Sequence, residues 1–158
     1  MAAAEPEELR LVCFFLHGRE FGVDIRSVKE TIILRPLTRV FLTPDWVAGI
    51  INLRGDVVAV VDLARFMGLP RTHSGDDTRI VLARGKTKTA GFLVDKLSDV
   101  RSVSEGAIRP PPPGVSEDGG ELLRGVVSLD GVRPLAVLDL NRLWVSDRIK
   151  QFERRVNG

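Results

Sequence analysis

Tyrosine is absent from these 158 residues, and there is one cysteine, with two histidines, two methionines and two tryptophans. A single cysteine excludes an internal disulfide, and no histidine stands at metal-ligand spacing from it. Cys13, inside the apolar run LVCFFL, reads as a small buried hydrophobe rather than a nucleophile. Long hydrophobic runs are also missing, since none approaches the ~20 residues a membrane helix needs. No charged-then-apolar leader opens the chain, so a cytoplasmic protein without membrane insertion is expected. Charge of one sign is scarce too, with 23 basic against 21 acidic residues and a formal net charge of +2. That leaves no dense basic surface for nucleic acid. Gly114, Gly119 and Gly120 lack the lysine and the strand-to-helix setting of a phosphate loop. Neither catalytic residues nor a cofactor nor a metal are expected.

What the chain does hold is enough apolar residue, 44%, to bury a core, and enough charge, 28%, to stay soluble as one domain. The densest signal is Gly49 to Pro70, GIINLRGDVVAVVDLARFMGLP. Asn52 to Gly55 is a polar turn, and Val57 to Val61 suits a strand buried on both faces. Asp62 caps a short helix over Leu63 to Met67, which Gly68 and Pro70 stop.

Along the rest of the chain, residues 1–8 form an acidic, flexible tail. Leu11 to Leu16 and Phe21 to Val23 make a hairpin, with His17 a turn residue. Asp24 caps one helical turn, and then Val28, Glu30 and Ile32 alternate with Lys29, Thr31 and Ile33 at strand period, placing Glu30 on the face of Val28. Pro36 confines Leu34 to Val40 to an edge or an irregular strand. Thr43 and Pro44 read as a helix start that Gly49 closes. His73 belongs to a polar loop, and Ile80 to Ala83 with Ala90 to Val94 form a second hairpin. Leu97 and Val100 lie on a further strand. Pro110 to Pro113 lead a flexible loop, a PxxP match best read as a spacer. Ser146 caps a C-terminal amphipathic helix over residues 146–158, with Ile149, Phe152 and Val156 on one face.

The chain also repeats itself. Gly125 to Leu143, GVVSLDGVRPLAVLDLNRL, set under Gly49 to Phe66, matches in its glycines, its apolar pairs and its Asp-Leu helix start. Gly18 and Gly85 turn the hairpins ahead of each copy, and Val23-Asp24 is matched with Val94-Asp95. Duplication implies two similar small β-barrels, with halves near 11–70 and 79–145 and their interlacing left open. The fold class is therefore mainly all-β.

With FGVDIRSVKE before it and FLVDKLSDV after it, GIINLRGDVVAVVDL resembles the CheW family of chemotaxis coupling proteins over Leu9 to Trp144. Ala59 stands where the family commonly has proline, and Thr31 where many relatives carry an aliphatic residue. The resemblance implies a single CheW-like domain over 9–145, built of two side-by-side SH3-like five-stranded barrels with short helical turns and a C-terminal helix. It also implies a non-enzymatic adaptor. Its partners would be the cytoplasmic tip of methyl-accepting chemoreceptors and the regulatory domain of a CheA-type histidine kinase, in membrane-associated arrays. The family's receptor groove falls on Val28, Glu30, Thr31, Asn52, Arg54, Leu97 and Val100, with a salt bridge between Glu30 and Arg54, and the resemblance assigns no residue to the kinase interface. Two other readings compete: a CheW-like adaptor of a motility or other non-chemotaxis kinase pathway, and a nucleic-acid-binding pair of SH3-like barrels, which would need a basic stripe with exposed aromatics.

Overall fold

The computed structural model describes residues 7–85, 88–111 and 120–157, with side chains through Phe152. Most of the N-terminal tail, the loop from Pro112 to Gly119 and the Val156 side chain lie outside them. The first half runs β1 (Glu8–Leu16), β2 (Arg19–Asp24), β3 (Val28–Ile33), β4 (Val47–Leu53), β5 (Asp56–Asp62) and α1 (Leu63–Phe66). The second runs β6 (Arg79–Arg84), β7 (Thr89–Val94), β8 (Lys96–Ser104), β9 (Leu123–Leu129), β10 (Arg133–Leu138), α2 (Leu140–Trp144) and α3 (Asp147–Asn157).

Tight turns organise the strands. His17-Gly18, Arg54-Gly55 and Asp130-Gly131 all have positive φ at both residues, between 49° and 89°. That backbone matches the twist of the flanking strands, and glycine adopts it without strain at the second position. Helix starts follow the capping logic. The Asp62 side chain accepts from Arg65 N, Asp139 from Asn141 N, and Asp24 from Arg26 N at a single 3-10 turn.

The strands form two five-stranded sheets, ordered β8-β1-β2-β10-β9 and β3-β6-β7-β5-β4. Each therefore combines a hairpin from one repeat copy with three strands from the other. Each hairpin joins the other copy's strands in parallel on one side, β2 with β10 and β7 with β5, and antiparallel on the other, β1 with β8 and β6 with β3. These registers also correct the alignment of the copies. Val60 and Val137 stand two residues before the matched aspartates, and they pair with Gly91 and Gly22. Gly22 thus corresponds to Gly91, and the Val23-Asp24 match to Val94-Asp95 is out by two positions.

Among the described residues both hydrogen-bonded ladders are open rather than closed into rings, so the two sheets are observed and the expected barrel closure is not. Single bridges, Thr38 to Ile50 and Arg109 to Val126, lay the segments following β3 and β8 across β4 and β9. The leading glycine of each repeat lies under such a crossing. A Cβ on Gly49 would stand 2.7 Å from the Thr38 carbonyl oxygen, and one on Gly125 2.5 Å from that of Arg109.

Three apolar clusters hold the molecule together. Leu9, Leu11, Cys13 and Leu135 belong to the core of the first sheet, and Ile51, Val60, Ile80 and Leu82 to that of the second. The largest cluster joins the two through Phe14, Leu16, Phe66, Phe92 and Leu143. Each fully buried side chain of this size contributes roughly 1.5–3 kcal/mol. Helix α3 closes this shared core. Phe152 meets Trp46 edge-on at 5.7 Å, Trp46 meets Phe66 at 5.2 Å, and the Arg148 guanidinium lies 3.6 Å over the Phe66 ring.

Several local expectations change in this context. No helix forms at Thr43 and Pro44, because Trp46 is drawn into the core and Val47 pairs at once with Val61. Thr43 Oγ1 instead donates to Val40 O, and Val47 N donates to Pro44 O in a turn. Val57 is 70% exposed rather than buried on both faces, since β7 pairs only with Val60 to Asp62 of β5. Glu7 and Glu8 leave the tail and join the first sheet: Glu105 N donates to Glu7 O, and Glu8 pairs with Ser104. The Ser146 hydroxyl is buried without a partner among the described residues, and α3 begins instead with Lys150 N donating to Ser146 O.

Candidate functional site

The seven residues expected to form the groove come from three places that the chain order keeps apart. Val28, Glu30 and Thr31 lie on β3, an outer strand of the second sheet that among the described residues pairs with β6 alone. Asn52 lies near the end of β4 and Arg54 in the β4–β5 turn of the same sheet. Leu97 and Val100 lie on β8, an outer strand of the first sheet. On β3 the alternation is as read from the sequence, with Val28, Glu30 and Ile32 half-buried and Lys29, Thr31 and Ile33 exposed. Val28 and Leu97 both pack against the shared core, whereas Val100 is 51% exposed. The two sheets thus contribute one outer strand each.

Arg54 reaches Glu30 with two hydrogen bonds, Nη1 to Oε2 at 3.0 Å and Nη2 to Oε1 at 2.9 Å. The guanidinium holds the Glu30 carboxyl below the usual carboxylate range. With the Arg54 side chain 67% exposed, the pair orients the turn more than it stabilises the fold. Asn52 has a structural role in that turn. Its Oδ1 accepts from Gly55 N, and its carbonyl accepts from Arg35 Nη1.

Two clefts, of about 760 and 510 Å³, open elsewhere, and none of the seven residues lines either. The candidate positions therefore lie outside both clefts, and they combine apolar side chains with one ion pair. Among the described residues no cluster of potential metal ligands occurs, and no helix is long and apolar enough to cross a membrane.

A family model described as the CheW-like domain matches residues 10–148. The chain belongs to the CheW-like domain family. Among CheW-like relatives, the chemotaxis protein CheW of Bacillus subtilis is 31% identical over 132 residues, covering 84% of each chain. That of Rhizobium meliloti is 32% identical over 137 residues, 87% of this chain and 88% of the relative. Protein FrzA of Myxococcus xanthus is 32% identical over 157 residues, 97% of this chain and 95% of its own. Among solved CheW structures, the scaffolding protein TtCheW from Thermoanaerobacter tengcongensis superposes with a TM-score of 0.79 at 29% identity, covering 90% of this chain and 96% of that one.

Sequence reasoning passed over two features of this CheW-like surface. Phe41 and Leu42 are 95% and 90% exposed at a loop tip where Leu42 has φ of +61°. An apolar pair in a proline-bounded edge segment gave no sign that it would face solvent. Glu20, 7% exposed, accepts from Ser98 and Arg101 on β8. Nothing local marks a glutamate next to a turn as buried, because its partners lie 78 and 81 residues away.

Proposed function

We propose that this protein is a non-enzymatic adaptor coupling methyl-accepting chemoreceptors to a CheA-type histidine kinase. The observation that carries the reading is that the outer strands β3 and β8 carry Val28 and Leu97, both packed against the shared core, with the Glu30–Arg54 pair on the β3 side, in a chain of the CheW-like family. The helical cytoplasmic tip of a receptor, laid on that surface, buries aliphatic side chains on both partners at roughly 25 cal/mol per Å² before ordering costs. Thr31, exposed on β3, tunes that contact. Affinity for one tip is moderate, and repetition in an array adds avidity.

In the same reading each sheet curls into an SH3-like barrel, which the Thr38–Ile50 and Arg109–Val126 bridges favour. The kinase contributes its regulatory domain, and the protein works in the cytoplasm, held at membrane-associated arrays through its partners. The likeness to FrzA over 97% of the chain favours a second reading, an adaptor of the same build serving a different pathway.

Copurification of the tagged chain from its own cells tests the first reading. A receptor and a histidine kinase are expected together, and recovery of neither overturns it. A kinase recovered without a chemoreceptor supports the second.

A further inference from the structure

Leu97 and Val100 are three residues apart on a strand, a spacing that in regular β structure sends side chains to opposite faces. Their partners on β1 are Phe14 and Val12, which are two apart and share a face. The register therefore shifts between them, with one extra residue on β8, a β-bulge. The bulge turns Leu97 and Val100 to one side of the sheet, and by the same geometry it turns Ser98 and Arg101 to the other.

On that other side stands Glu20. It pairs with Phe15 from β2, so its side chain must cross β1 to reach β8. Its Oε2 accepts from Ser98 Oγ at 2.7 Å and from Arg101 Nε at 3.0 Å, one donor from each end of the bulge. The Glu20 side chain is 5% exposed, so both bonds are shielded from competing water. Among the described residues no strand pairs with the outer side of β8, and such a strand can slip by a residue unless something holds its register.

We propose that Glu20 is a positioning residue for the receptor groove: its carboxylate clamps the β8 bulge and so keeps Leu97 and Val100 on one face. The inference rests on the adaptor reading for what the groove binds, and on the geometry alone for the clamp. Glu20 touches no partner itself.

The test uses the purified full-length chain, a soluble fragment of a chemoreceptor tip and the isolated kinase regulatory domain. Glu20→Gln and Ser98→Ala are each expected to lower receptor-fragment affinity roughly tenfold, the scale of one lost charge-assisted hydrogen bond, with kinase-domain affinity unchanged. Amide exchange at Asp99 to Arg101 is expected to accelerate in both. Wild-type exchange there overturns the clamp, and parallel loss of both affinities, the mark of a damaged fold, overturns the positioning role. If Glu20→Gln does not fold, Ser98→Ala decides, because it removes one bond and leaves the buried ion pair. Val100→Asp separates the two levels of the argument. When it abolishes receptor binding while the Glu20 and Ser98 variants bind normally, the clamp is refuted and the groove stands. When it binds normally, the groove reading falls, and exchange at Asp99 to Arg101 still judges the clamp.

Discussion

Arg54 and Glu30, 24 residues apart, meet through paired hydrogen bonds of 2.9 and 3.0 Å that tie the β4–β5 turn to β3. The arginine has a left-handed backbone, φ 51°, so the turn aims its side chain and the carboxylate fixes the end of it. Arg54→Glu and Glu30→Arg are each expected to weaken receptor binding while leaving a cooperative melt, and the double exchange to restore part of the affinity. Titration calorimetry against the receptor-tip fragment checks this. Equal affinity in all three variants sinks the role given to the pair.

The same pair sets a pH dependence. The Glu30 pKa is depressed in the folded state, so the pairing contributes fully above the ordinary glutamate value of about 4.3 and is lost as pH falls through the lowered folded value. The Glu30 carboxyl resonance is expected to titrate below that of an unpaired glutamate, and to move back to the ordinary range in Arg54→Ala. An unchanged titration in that variant would show that the arginine is not the cause.

Gly49 and Gly125 are expected to tolerate no side chain. Alanine at either would press its Cβ against a backbone oxygen of the crossing segment, a clash that costs about 1–3 kcal/mol. Gly75, with open space around it, provides the control, and its alanine variant should stay within about 0.5 kcal/mol of wild type. Urea denaturation of the three variants is the measurement.

Phe152 lies edge-on to Trp46, and Trp46 to Phe66, so α3 anchors the shared core through a chain of rings. Phe152→Ala is expected to cost about 3 kcal/mol or somewhat less, since its site is only half-buried, and to shift tryptophan emission to the red. Unshifted emission would mean that the helix does not cover Trp46.

Cys13 should be inert in the native state. Burial, reinforced by the nearby Glu20 carboxylate, pushes its thiol up to about 11. A thiol reagent at pH 8 is expected to label it only after denaturation, and prompt labelling of the native protein would contradict the burial.

Much of this protein was determined by the sequence within a few residues of each position. The turns at His17-Gly18 and Arg54-Gly55, the caps at Asp24, Asp62 and Asp139, and the alternation on β3 all depend on backbone torsion and nearest-neighbour side chains, which a short window carries. The duplication was legible as well, because matched turns recur in order. What only the tertiary structure decided is which hairpin pairs with which three strands, and everything that follows from it. The parallel junctions β2–β10 and β5–β7 equate Gly22 with Gly91, and the burial of Trp46 replaces an expected helix at Thr43 with a turn. The crossing at Thr38 explains why position 49 is glycine, and the bulge on β8 explains how residues 97 and 100 share a face. These are pairings between segments remote in the chain. A strand's own residues specify its two faces, but the register against its neighbour decides which residues occupy them, and that choice is made only when the core is packed.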